Sequence, residues 1–138
     1  MIDCLFCNIE EQKIIASNDL AVAVPDGFPV TEGHTLIIPR RHEPDFLQMT
    51  SEELIAVWEL AVELAARLRK DDPRITGFNM GANQGESAGQ TVQHVHWHLI
   101  PRRDGDREDP TGGVRWIFPE KANYRKNMCD VKRVTWNV

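Results

Sequence analysis

Gln90-Thr91-Val92-Gln93-His94-Val95-His96-Trp97-His98-Leu99-Ile100 carries three of the chain's five histidines, at every second position, with apolar residues between them. On a helix, at about 100° per residue, His96 would point almost opposite to His94 and His98. On a strand, side chains repeat every two residues, so all three imidazoles share one face. Val95, Trp97 and Leu99 then line the other face, which suits a core. β-branched and aromatic residues favour the strand. The stretch therefore predicts a row of imidazoles on a rigid strand, next to a glycine-bearing loop.

Such a row has three uses. An imidazole is a good nucleophile near neutral pH; it can attack phosphorus and leave again, splitting one hard displacement into two easier ones. A protonated neighbour can stabilise charge on the phosphate or protonate the leaving group. Neutral imidazole is also a common zinc ligand, so the three histidines can be a zinc site themselves. The plain use is a set of half-buried histidines without chemistry, which strict alternation disfavours.

His94-Val95-His96-Trp97-His98-Leu99-Ile100 resembles the signature of the histidine triad (HIT) family, His-φ-His-φ-His-φ-φ with φ apolar. Cys4-Leu5-Phe6-Cys7, Gly33-His34-Thr35-Leu36-Ile37-Ile38-Pro39-Arg40-Arg41-His42, Asn83 and Gly89-Gln90-Thr91 resemble further family features, in order, over residues 3 to 103. The resemblance implies an α+β fold: a five-stranded antiparallel sheet, one long and one short helix packed on one side, and a variable C-terminal tail. It places the domain at 1–103 and the tail at 104–138, packed on the same domain. It also implies a homodimer with a joined sheet.

Composition agrees with a globular chain. The 138 residues are enough for one domain with a proper core. Hydrophobic content is 41%, charged content 27% and net charge −5, which gives no support to binding of nucleic acid or of an anionic membrane. Any phosphate recognition must be local. There is no apolar run of membrane-spanning length and no signal peptide, so a cytoplasmic location is expected. Three cysteines do not suggest a disulfide framework.

Taken in order, Asp3 is placed to cap a short helix carrying Leu5, Phe6 and Ile9. Cys4 and Cys7 read as a zinc half-site, a redox pair or two small buried residues. The resemblance favours structural zinc held by Cys4, Cys7, His42 and His94, and implies no organic cofactor. Lys13–Ser17 and Leu20–Pro25 read as strands joined by an Asn18-Asp19 turn, with Asp26 just beyond. By resemblance to Hint-type members Asp26 binds the ribose hydroxyls; from the residues alone, a turn aspartate is as good. His34–Pro39 is a third strand. Arg40-Arg41 reads as a solvated pair. Thr50 and Glu53 form a capping box for a helix running to about Lys70, whose stripe of Leu54, Trp58, Ala61, Ala65 and Leu68, widened by Val57, Val62 and Leu64, reads as core packing. Gly77–Asn83 is the fourth strand, and Gln84–Gly89 a polar loop. The amides of Gln90, Thr91 and Val92 can form an anion nest. After Pro101 the sequence loses periodicity until Gly112–Pro119; Trp116, Phe118 and Trp136 either shape a pocket or dimer or simply pack.

The resemblance then implies a mechanism. A purine base lies against Leu5, Phe6 and Ile9, and Asp26 takes the ribose. His96 attacks the α-phosphorus, forming a nucleotidyl-histidine; His98 offsets developing charge. Asn83, Gly89, Gln90, Thr91 and Val92 surround the phosphate, with Gln90 and Thr91 assisting the leaving group. His94 orients the site or ligates zinc, and His34 lies behind it. Thr91 resembles the Fhit branch of dinucleoside polyphosphate hydrolases; Asn83 and Asp26 resemble the Hint branch of nucleoside phosphoramidases. A nucleotidyl transferase and a non-catalytic nucleotide-binding protein remain open.

Overall fold

The computed structural model of the chain describes residues 3–127. Five strands form one antiparallel sheet: β1 (Ala16–Ser17), β2 (Ala21–Pro25), β3 (Thr35–Pro39), β4 (Ile75–Gly81) and β5 (Trp97–Arg103), in the order β1-β2-β3-β5-β4. Helix α1 (Ser51–Asp71) connects β3 to β4. The β1–β2 turn is closed by Asn18, whose Oδ1 accepts from the amides of Leu20 (3.1 Å) and Ala21 (2.9 Å). Helix α1 starts at the expected capping box: Thr50 accepts from the Glu53 amide, and the Glu53 side chain accepts from the Thr50 amide.

Both faces of the sheet are covered, which is why β2 and β3 are almost wholly buried. Ala21, Ala23, Ile37 and Leu99 face α1 and pack with Ala56, Val57, Leu60, Ala61 and Leu64. Full burial of Leu60 and Leu64 contributes about 1.5–3 kcal/mol each. Val22, Val24, Leu36 and Ile38 form the opposite face, under Phe6, Ile9 and Ile14. Both helices are expected on one side of the sheet. Instead the N-terminal segment covers the face that α1 leaves bare. Nor is that segment α-helical: a turn closed by the Cys7 amide on the Cys4 carbonyl (3.1 Å) precedes a single 3-10 turn at Glu11–Lys13.

The phase of α1 also differs from the expected stripe. The helix buries Glu53, Ala56, Val57, Leu60, Ala61 and Leu64, while Leu54, Ile55, Trp58 and Val62 stand half or more exposed. The helix has two apolar faces, and large side chains alone do not tell which one meets the sheet. The exposed face adjoins a cavity of about 530 Å³ lined by Leu54, Ile55, Val57, Trp58, Met80 and Trp97.

The histidine stretch is shorter as a strand than expected. β5 begins at Trp97, and Gln90–His96 lie outside the ladder. Ile37 pairs with Trp97, so two residues further Val95 would stand opposite Pro39. Proline has no N–H to give, and the ladder ends there. The Val95 amide donates instead to the Glu43 carbonyl (2.7 Å). The chain stays extended enough for the alternation to hold: Val95 and Leu99 are buried, while His96 and His98 keep neighbouring rings 5.4 Å apart.

The described chain divides after Asp104 into two compact units. In the second, 3-10 turns at Gly113–Ile117 and Tyr124–Asn127 flank the short helix α2 (Pro119–Ala122). The Arg115 guanidinium donates to the carbonyls of Ala122 and Lys121. Gly112, at φ +98°, has the Ala122 carbonyl where a Cβ would go, so only glycine fits. Trp116 is half-buried, its indole donating to the Thr111 carbonyl, whereas Phe118 is exposed. Trp136 lies outside the described residues. No helix among the described residues is long and apolar enough to cross a membrane.

Candidate active site and metal centre

Two clusters of ionisable side chains flank the histidine stretch, on the sheet face opposite α1. The first joins Cys4, Cys7, His42 and His94, whose ligand atoms all lie within 4.8 Å of one another. The His94 Nδ1 stands 3.5 Å from Cys4 Sγ and 3.6 Å from Cys7 Sγ; His42 Nδ1 stands 3.2 Å from Cys7 Sγ. The far nitrogen of His94, Nε2, donates to the Pro39 carbonyl at 2.7 Å, which leaves the Nδ1 lone pair facing the thiols. His94 is fully buried, and burial holds it below the ordinary histidine range, that is, neutral and fit to ligate. Desolvation and the adjacent Cys4 push the Cys7 thiol up; a cation between the two sulfurs would reverse that. Two thiols and two imidazoles so arranged can hold a metal ion, and thiolate donors favour a transition metal over calcium or magnesium.

His42 is held by a contact outside its own motif. Its neighbour Arg41 donates to Glu53 (2.8 Å), to Glu43 (3.1 Å) and to the Gln48 carbonyl (3.1 Å), and so ties the loop after β3 to the first turn of α1. Arg41 is exposed, as expected from the sequence, but it is also tied into ion pairs that the sequence did not show. Its hydrogen bonds hold the Glu53 carboxyl below the usual range despite burial.

The second cluster joins His98 of β5 to His34, just before β3, and Asp26, just after β2. His34 Nε2 lies 2.9 Å from His98 Nδ1 and 3.3 Å from Asp26 Oδ2; His98 Nδ1 lies 3.7 Å from the same oxygen. The other Asp26 oxygen accepts from the Phe28 amide at 2.7 Å. Burial pushes both His34 and His98 below the ordinary range, against a smaller opposite pull from Asp26.

His96 stands between the clusters. Its Nδ1 donates to the His94 carbonyl (2.9 Å), which puts the lone pair of the neutral ring on Nε2. Its ring meets Phe6 edge-on, with centroids 5.0 Å apart. Phe6 sits between the two cysteines in sequence and contacts His94 as well (6.1 Å). The three triad imidazoles thus do not converge on one point. His94 turns to the cysteines and His98 to His34, which removes the reading of the triad as a zinc site by itself.

The loop from Gln84 to Val92 is shaped by Gly85 and Gly89, both at φ near +86°. Gln90, expected near the phosphate, is buried beneath this loop. Its Oε1 accepts from the Gly85 amide (2.9 Å), and its Nε2 donates to the carbonyls of Pro44 (2.8 Å) and Val92 (3.2 Å). The Gln90 amide is committed too, to the Gly85 carbonyl (3.1 Å). Of the expected nest, the Thr91 and Val92 amides have no partner among the described residues. Asn83, Gly89 and Thr91 are exposed. Leu5 is exposed, and Phe6 and Ile9 are half-buried on the triad side of the sheet. The residues that sequence reasoning missed act through backbone groups or remote charges: the Pro39 carbonyl, the Val30 amide, which donates to His34 Nδ1 at 3.1 Å, Arg41 and Glu53.

A family model described as the HIT domain matches residues 8–105. A HIT-like protein of Mycoplasma genitalium is 42% identical over 103 residues, 72% of each chain. A bis(5'-adenosyl)-triphosphatase of Dictyostelium discoideum is 33% identical over 101 residues, 73% of this chain and 67% of that one. Among solved structures, a Zn-bound histidine triad family protein from Mycobacterium smegmatis superposes with a TM-score of 0.68 at 28% identity, covering 93% of this chain and 98% of that one.

Proposed function

The chain belongs to the HIT family, and from that premise we propose that it is a nucleotidyl hydrolase acting at the α-phosphate of adenosine phosphate derivatives such as dinucleoside polyphosphates. The observation that carries this is the hydrogen bond from His96 Nδ1 to the His94 carbonyl. In the neutral ring it places the lone pair on Nε2, which can then act as the nucleophile without a separate base. Nε2 bonds to the α-phosphorus as the bond to the leaving oxygen breaks, and the polyphosphate leaves as an anion. Water then attacks the phosphorus of the nucleotidyl-histidine as the P–Nε2 bond breaks; a nucleoside monophosphate forms, one water proton passes to solvent, and the neutral imidazole is regenerated. His98 donates a hydrogen bond to the phosphate oxygens, where charge develops. Thr91, Val92, Gly89 and Asn83 receive the phosphate and leaving group, while Gln90 supports them from beneath. The base lies against Leu5, Phe6 and Ile9. A ribose hydroxyl reaching Asp26 would share the oxygen that already faces His34.

Cys4, Cys7, His42 and His94 would hold zinc, and a closed four-ligand site of this kind supplies stability rather than chemistry. It would fasten Phe6 against His96. A second copy of the chain would cover Leu54, Ile55, Trp58 and Val62, with β4, one of the two edge strands of the sheet, available to join a partner's sheet.

The deciding experiment follows AMP release by chromatography, from diadenosine tetraphosphate and adenosine phosphoramidate in parallel, for wild type and His96→Ala. His96-dependent AMP from the tetraphosphate supports the hydrolase. Faster release from the phosphoramidate moves the leaving group to an amine. Tight nucleotide binding without turnover of either substrate rejects the hydrolase in favour of a binding protein.

A further inference from the structure

Asp26, His34 and His98 bring three potential ligand atoms as close together as the cysteine cluster does, yet the proton positions of the two clusters are opposite. The Val30 amide donates to His34 Nδ1 at 3.1 Å. A ring nitrogen that accepts cannot carry the proton of a neutral imidazole, so the His34 proton is on Nε2. That nitrogen is 2.9 Å from His98 Nδ1, a distance at which one proton, not two, lies between them. The proton is the one on His34, so His98 Nδ1 accepts and the His98 proton is on Nε2. Asp26 Oδ2 is a second acceptor for the same His34 N–H, and Asp26 is fixed by its bond to the Phe28 amide and by its own amide on the His34 carbonyl (3.0 Å).

We propose that His34, held by the Val30 amide and Asp26, is a positioning residue that locks His98 in the neutral Nε2–H tautomer, and that this cluster is a proton-ordering chain and not a second metal site. A metal ion on His34 Nε2 would drive its proton to Nδ1, against the Val30 N–H. His94 has the converse arrangement: Nε2 donates to Pro39 and Nδ1 is free for a ligand. In the same way, a cationic His98 would point an N–H at the N–H of His34. His98 therefore acts as a neutral single donor to the phosphate, not as a charged acid. The consequence for turnover rests on the hydrolase reading; the tautomer itself does not.

The test is a long-range ¹H–¹⁵N spectrum of histidine-labelled, zinc-loaded protein without substrate. His98 should show a protonated Nε2 and an unprotonated Nδ1, and His34 likewise. In His34→Gln the amide nitrogen replaces the Nε2 donor, so the His98 pattern should persist and turnover should stay near wild type. In His34→Leu the donor is gone, the His98 pattern should change, and kcat should fall by about one to two orders of magnitude with KM little moved. A protonated His98 Nδ1 in wild type would overturn the proposal, as would an unchanged His98 pattern in a folded His34→Leu. Should His34→Leu not fold, the wild-type and His34→Gln spectra still decide. Zinc titration gives a second readout: one ion per chain is expected, lost in Cys4→Ser and kept in Asp26→Asn. A second ion that depends on Asp26 would refute the assignment. Correct tautomers in a protein that hydrolyses neither substrate would reject the hydrolase alone.

Discussion

Glu53→Ala tests how the start of a helix holds a loop that ends in a candidate metal ligand. Glu53 is buried and serves two partners: the Thr50 amide at 3.0 Å, and Arg41 through contacts of 2.8, 3.2 and 3.3 Å. Losing one arm of the capping box costs about 1 kcal/mol. Hydrogen bonds to a charged group contribute about 1.5–3 kcal/mol. The lower end applies here, because the Arg41 side chain is 48% exposed and its charge is partly screened. The sum is about 2.5 kcal/mol, reduced by a few tenths because alanine is the better helix former. For a domain of this size that lowers Tm by about 8 °C. Thr50→Ala removes only the cap and should cost about 1 kcal/mol. A double-mutant cycle with Arg41→Ala should return a coupling of at least about 1 kcal/mol. Zinc release to a colorimetric chelator should also quicken in Glu53→Ala, since Arg41 adjoins His42. The reasoning is refuted if calorimetry finds Glu53→Ala no more destabilised than Thr50→Ala, or if the cycle gives no coupling.

Two further outcomes follow from burial. His34 and His98 are held below the ordinary histidine value of 6.5 by desolvation, so the unfolded chain binds more protons just below that pH. Their contribution is present above pH 6.5 and lost as pH falls toward the native values, with a slope of at most about 1.4 kcal/mol per pH unit for each group. Urea midpoints should drop from pH 7.5 to 5.5, and less steeply in His34→Gln; equal slopes in the two proteins would contradict this. Trp58→Glu places a charge on the exposed face of α1, where Trp58 is 62% exposed. It should yield a monomer by sedimentation with little loss of monomer stability, and a wild-type monomer would show that no second copy sits there.

Much of this architecture is legible in the sequence because it depends on local chemistry. Thr50-x-x-Glu53 marks the start of α1, and Asp71-Asp72-Pro73 its end. The alternation from His94 to Leu99 separates core side chains from site side chains even where the ladder is absent. The four candidate metal ligands come from three separate stretches of the chain, yet they meet. What pattern could not supply were choices between equivalents. Leu54 and Trp58 are as apolar as Val57 and Leu60, and only the sheet decides which face of α1 is inside. Gln90 adjoins glycine and threonine in the expected phosphate loop, but its amide group is turned under the loop by the carbonyls of Pro44 and Val92.

The roles of the histidines show the same limit most sharply. His94, His96 and His98 are chemically identical and evenly spaced, yet each has its proton placed by a different acceptor or donor. The Pro39 carbonyl fixes His94, the His94 carbonyl fixes His96, and the Val30 amide fixes His98 through His34. Two of these partners are main-chain carbonyls and one a main-chain amide, groups present at nearly every residue and so invisible to any motif. Spacing can say that three imidazoles stand together. Only the backbone around them says which nitrogen of each ring carries the proton, and so which nitrogen is left to accept.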